Sequence, residues 1–137
     1  MSPFAESFDL EAAFGDVFEY WSPKVVAHVN DQYVKIAKVR GQFGWDGHAQ
    51  EDELFFVVRG HLKIEYEGGH VVDLPAGSMH VVPRGTLYNL VADNECWGAL
   101  IEHVQTKHTG DVAGRLGFQA GSRELRPYPQ RGSSASQ

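Results

Sequence analysis

Between residues 31 and 104 the chain is a series of short β-rich runs separated by Gly, Pro, Asn or Asp. That punctuation is the pattern of an all-β sandwich or barrel. It predicts strands near 32–40, 54–59, 61–66, 70–74, 79–83, 87–92 and 96–103. Leu62, Ile64 and Tyr66 alternate with His61, Lys63 and Glu65, which marks a strand with one wet face. Arg59-Gly60-His61 and Glu67-Gly68-Gly69-His70 read as tight hairpin connections, because glycine supplies the positive φ such turns need. Upstream, Leu10, Phe14, Val17, Phe18 and Trp21 recur at spacings of three and four, with Asp9 as N-cap. This predicts a helix that Ser22-Pro23 stops. The expected organisation is a helical segment over 1–22, a β sandwich or barrel over 23–112 and a C-terminal extension over 113–137, flexible at its end.

At 137 residues the chain has the size of one domain. Its net charge is −6 and Lys and Arg form no block, which argues against nucleic acid or an anionic membrane as partner. The longest apolar runs, such as Leu54 to Val58, are too short to span a bilayer. Met1 to Asp9 lacks a basic run followed by an apolar stretch, so no signal peptide and a cytoplasmic location are expected. Cys96 is the single cysteine, which rules out an intrachain disulfide; a buried, unreactive thiol is expected.

The chemistry concentrates in residues 44–60. Asp46 and His48 lie two apart, so on an extended strand both side chains point to one face. Glu53 opens the next strand, which folds back beside them. Such groups converging in a barrel suit either a divalent metal or acid–base work. With Glu51 and Asp52, the same run also reads as a solvated acidic loop.

These residues resemble the first motif of the cupin superfamily: a glycine, His-x-His, four residues, Glu, six residues, Gly. The chain has Asp46-x-His48, four residues, Glu53, six residues and Gly60. The second motif is a glycine, five residues, Pro-x-Gly, two residues, His; here it runs Gly77, five residues, Pro83-Arg84-Gly85, two residues, Tyr88. A competing register through Gly69, Pro75-Ala76-Gly77 and His80 leaves too little room after Gly60 for the intervening hairpin. Trp21 to Ala27, Asn30, Val34-Lys35 and Gly41-Gln42-Phe43 are similar to the lead-in of small mannose-6-phosphate-isomerase-like cupins. Asp52 to Phe55, Val82 to Gly85 and Thr109-Gly110-Asp111 resemble their later landmarks, so the likeness covers 17–112.

The resemblance implies an all-β cupin jelly-roll barrel with a short N-terminal helix, and three histidines and a glutamate on a metal. Carried over, those four positions hold Asp46, His48, Glu53 and Tyr88. Asp, His and Glu resemble a carboxylate-rich facial site. A tyrosine is a poor ligand, since its phenol has a pKa of ~10 and must lose a proton to bind well. The expected cofactor is therefore none, or one divalent ion (Fe, Mn, Zn or Ni) on Asp46, His48 and Glu53 with His80.

Without a metal, the same residues read as His48 acting as base, Asp46 or Glu53 orienting it, and Tyr88 as acid. That pairing resembles, in roles only, the metal-free sugar epimerases of the superfamily. The expected function is acid–base chemistry on a small molecule in the barrel mouth, of isomerase, lyase, dehydratase or cyclase type. The alternatives are a metal-dependent oxygenase-type enzyme and a non-catalytic ligand-binding or sensor cupin. Trp45 and Phe55 are the expected pocket walls, with His80 either lining the cavity or structural. His28, His61, His70, His103 and His108 read as surface or edge residues. A homodimer is expected through a sheet's outer face and segment 10–21.

Overall fold

The computed structural model describes residues 6–106. The extension beyond 112, His108 and Thr109-Gly110-Asp111 lie outside the described residues. The fold is the expected jelly-roll barrel, built from seven antiparallel strands. They are β1 (Lys24–Val29), β2 (Gln32–Asp46), β3 (Glu53–Arg59), β4 (His61–Tyr66), β5 (Val71–Pro75), β6 (Met79–Val82) and β7 (Tyr88–His103). β7 closes the barrel because its two halves pair with different partners. Tyr88 to Val91 lie against β4, whereas Trp97 to Glu102 lie against β3, and β2 runs beside both halves. β1 and β6 flank this core, and β5 extends β4.

Three strand assignments differ from the sequence reading. β1 is additional; it turns into β2 at Asn30, whose φ of 52° lies in the left-handed region that Asn tolerates. β2 continues through Gly41 and Gly44, at φ 89° and 108°, because these glycines form bulges rather than a stop. β7 likewise runs through Asp93-Asn94-Glu95, which bulge out between the Gly41–Ala92 and Val39–Cys96 pairs.

The N-terminal helix is shorter than its periodicity suggests. It is α1 (Leu10–Ala13), capped by the Asp9 carboxylate accepting from the Ala12 N–H at 2.8 Å, followed by a 3-10 turn over Phe14–Asp16. Gly15 and Asp16 are weak helix formers, and tertiary packing takes over after them. Phe14 and Val17 cover Ile36 and Ala99 on the outer sheet face, and Phe14 stacks on Trp97 at 5.0 Å. Trp21 instead enters the barrel at φ 61° and stacks on Phe43, while Phe18 is exposed.

Inside the barrel, Phe55, Val57, Leu62, Ile64, Val82 and Cys96 form the main core. Burial raises the Cys96 thiol to about 11, in keeping with an inert residue. Gly60 sits in the β3–β4 hairpin at φ +87°, where a Cβ would come within 2.7 Å of the Glu95 carbonyl oxygen. Gly60→Ala is expected to cost about 2 kcal/mol through the left-handed backbone alone, before the clash. A lowered urea midpoint at unchanged m-value is the result that checks this.

Candidate active site

The four motif positions meet on the inner wall. Asp46 ends β2 directly opposite Tyr88, the first residue of β7, and Glu53 opens β3 opposite Glu102. His48 follows β2 in a loop whose carbonyl at His48 accepts from the Gly85 N–H at 2.8 Å. Gly47 permits that seating, since a Cβ there would lie 2.6 Å from the Thr86 carbonyl oxygen. The result excludes the solvated-loop reading for Asp46, His48 and Glu53, which are all buried, though Asp52 is exposed and paired with Arg84.

Glu53 is the hub. Its Oε1 accepts from the Tyr88 hydroxyl at 2.8 Å and lies 3.4 Å from His48 Nε2. Burial by itself would raise its pKa, but hydrogen bonds from His48, Glu102 and Tyr88 outweigh this and hold it at about 2. Glu102 moves the other way, to about 9: burial raises it, as do the hydrogen bond to Glu53 and that group's charge. Lys35 Nζ, 2.5 Å from Glu102 Oε2, opposes the rise without cancelling it. Glu53 is thus the ionised partner and Glu102 the protonated one. Tyr88 is pushed well above 10 by burial and by the charges of Glu53 and Asp46, so its phenol stays neutral.

The cavity beside this cluster has apolar walls. Trp21, Phe43, Phe55 and Leu100 line it together with Asp46, Glu53, Tyr88 and Glu102. Its volume of about 50 Å³ holds a few water molecules. Phe55 is therefore one of the walls of this cavity. Trp45 is not: it neighbours Asp46 on β2 and pairs with Asn89, so strand alternation turns it to the opposite face.

His80 shares the inward face of β6 with Val82, yet it does not line this cavity. Its Nε2 lies 2.7 Å from the Tyr66 hydroxyl, and Tyr66 also stacks near His70. Burial, then the charge of His70, lowers its pKa. Among the remaining described histidines, His28, His61 and His70 are exposed and His103 is half-buried.

The donors do not fit a metal. Among the described residues, no three His, Cys, Asp or Glu side chains are placed to hold one. Glu53 Oε1 is already shared by Tyr88 and His48, and the protonated phenol at the fourth motif position is a donor rather than a ligand.

Sequence reasoning missed Glu102 and Lys35. The signal lay in period two: Cys96, Leu100 and Glu102 share one face of β7, which places a carboxyl on an apolar stripe.

An antiparallel barrel that turns two motifs' worth of titratable side chains onto one inner wall defines a class of small β-barrel proteins. The comparisons place it further. The Cupin domain family (Cupin_2) matches residues 32–95. A cupin-2 domain protein from Shewanella frigidimarina is 36% identical, covers 70% of this chain and 93% of its own, and superposes with a TM-score of 0.68. A Neisseria meningitidis protein is 26% identical, with 72% and 99% of the chains covered and a TM-score of 0.66. The uncharacterized protein YdbB of Bacillus subtilis is 28% identical over 72% of this chain and 88% of its own length. The chain belongs to the cupin family.

Proposed function

We propose that this cupin is a small-molecule enzyme working by acid–base chemistry inside the barrel, in the manner of an isomerase, lyase or cyclase. The observation that carries this reading is the buried His48–Glu53–Tyr88 cluster, of which Glu53 and Tyr88 line an apolar-walled cavity and His48 lies against Glu53 without lining it. Burying an imidazole, a carboxylate and a phenol costs free energy that apolar residues at the same positions would avoid. A perturbed cluster in such a place is where proton transfer is arranged.

In this reading His48, held against the Glu53 carboxylate, is the base, and it takes a proton from carbon beside a carbonyl. The electron pair moves onto the carbonyl oxygen as an enolate. In a 2-hydroxy carbonyl compound the hydroxyl proton passes to the enolate oxygen and His48 returns its proton to the former carbonyl carbon, which completes an isomerisation. When His48 instead gives its proton to a β-hydroxyl, that group leaves as water and a dehydration is complete. Tyr88 contributes a neutral hydrogen bond rather than a released proton, a change from the acid role that its position suggested.

The test is solvent exchange. The protein is incubated in D2O with a panel of hydroxy-carbonyl compounds and small sugars, and NMR follows deuterium entering the carbon next to the carbonyl. Incorporation or turnover of one compound supports the reading. A compound that binds and stabilises the fold but is recovered without deuterium, across the panel, supports a sensor or binding role instead.

We also propose a homodimer. Val34, Ile101, Leu54 and Val81 form one cross-strand row on the outer face, and Val81, Ile101 and the neighbouring Met79 remain exposed. Such a row suits a second copy of the same face. Sedimentation equilibrium at micromolar concentration is expected to return twice the chain mass; a monomer would refute it. Among the described residues no helix is long and apolar enough to cross a membrane.

A further inference from the structure

We infer that Glu102 is a positioning residue, which clamps the Glu53 carboxylate in the orientation that receives both His48 and Tyr88. The inference rests on the acid–base reading of that site and extends it to residues outside both motifs.

The geometry is a continuous chain across the barrel wall. Lys35 Nζ, on β2, lies 2.5 Å from Glu102 Oε2 on β7. Glu102 faces Glu53, its direct cross-strand partner on β3, and both side chains line the same cavity. Glu53 Oε1 in turn meets the Tyr88 hydroxyl and His48 Nε2. The Lys35 and Glu102 side chains are 14% and 3% exposed, so water competes little for these bonds.

Two buried carboxyls paired directly across neighbouring strands on one cavity wall hold one proton between them, because two anions there would repel strongly. The protonated member is then a donor that fixes the other's rotamer. Lys35 fixes the donor from its far side. Removing Glu102 leaves Glu53 free to rotate away from His48. A side chain that merely ties β2 to β7 would have no such effect.

The readout is the Nε2–H proton of His48 in the NMR spectrum of the 15N-histidine-labelled protein. A ring proton held on a carboxylate resonates downfield of one exposed to water and exchanges more slowly. In the unaltered protein this resonance is expected, and Glu53→Gln should abolish its downfield position, which assigns it. Glu102→Leu is expected to remove it or move it upfield, while Glu102→Gln, which keeps a neutral donor, retains it. Should Glu102→Leu fail to fold, Lys35→Met serves, with the resonance expected to broaden or move upfield. A resonance unchanged in Glu102→Leu, or in Lys35→Met where that variant stands in, overturns the inference; so does its loss in Glu102→Gln. None of these outcomes depends on turnover, so failure to find a substrate would count against the enzyme reading alone.

Discussion

Folding stability is expected to peak near pH 5 and to fall on both sides, with Glu53 and Glu102 responsible for opposite arms. Glu53 has a folded pKa of about 2, below its ordinary 4.5. A depressed carboxylate contributes stability that is present above the unfolded value and lost as pH falls toward the folded one. The acid arm therefore runs from about pH 4.5 down to about 2 and is worth on the order of 3 kcal/mol, at roughly 1.4 kcal/mol per pH unit of displacement. Glu102 has a folded pKa of about 9. A raised carboxyl is fully favourable below pH 4.5 and loses ground as the unfolded chain ionises and the folded one does not. The alkaline arm accordingly runs from about pH 4.5 to 9 and is worth on the order of 6 kcal/mol, a figure the two carboxyls share because they titrate as a pair. Urea midpoints at pH 3, 5, 7 and 9 measure both arms. Glu102→Gln should flatten the alkaline arm, since a glutamine has no proton to lose. A profile that rises steadily to pH 8 would mean that the two carboxyls do not share a proton.

Turnover is the second place where a large effect is expected. Once the exchange screen supplies a substrate, His48→Ala should lower its rate by about 100- to 10,000-fold, the usual worth of a positioned base. The fold should survive, because His48 lies in the loop after β2, outside the strand ladder, and its carbonyl bond to Gly85 is made by the main chain. Glu53→Gln should also be slow but for a different reason: the amide can offer His48 its NH2, which favours the wrong tautomer. Tyr88→Phe should have the mildest effect, since it removes one hydrogen bond to Glu53 and leaves the base in place. Equal rates in His48→Ala and the unaltered protein would move the chemistry away from this cluster.

The metal question turns on the same residues. In the motif that this chain resembles, four ligands converge on an ion. Here the fourth position donates a proton to the third, and the third is spent on the second. Elemental analysis before and after chelation is expected to show little tightly held metal and no change in the fold. About one ion per chain would require Glu53 to give up Tyr88 and His48.

Local chemistry made much of this legible in the amino-acid order. Glycines at positive φ announced the hairpins at Gly60 and at Gly68-Gly69, and each stands there in the left-handed region. Asp9 announced the helix start. The motif registers through Glu53 and Tyr88 announced two of the side chains that line the cavity, whereas Asp46 and His48 do not share a strand face as their spacing suggested, because β2 ends at Asp46 and His48 stands in the loop after it. Where two registers competed, the one through Tyr88 places its residue against Glu53, and His80 is engaged by Tyr66 instead.

What stayed hidden depends on pairing between distant strands. Gly41, Gly44 and Asp93 to Glu95 look like breaks because a bulge and a turn use the same residues; only a partner strand on the far side distinguishes them. Trp45 looked like a pocket wall because it is adjacent to Asp46 in the chain, yet adjacency along a strand is what sends it to the other face. The helical periodicity through Trp21 was real as a count of apolar residues, but those residues serve two different cores. Glu102 and Lys35 carried no motif at all. The sequence by itself determined the class of fold, because turn chemistry and strand alternation are local. Only the tertiary structure decided that Glu102 faces Glu53 and that Lys35 reaches them, because cross-strand register brings together residues 49 and 67 positions apart, with nothing in the intervening chain to signal it.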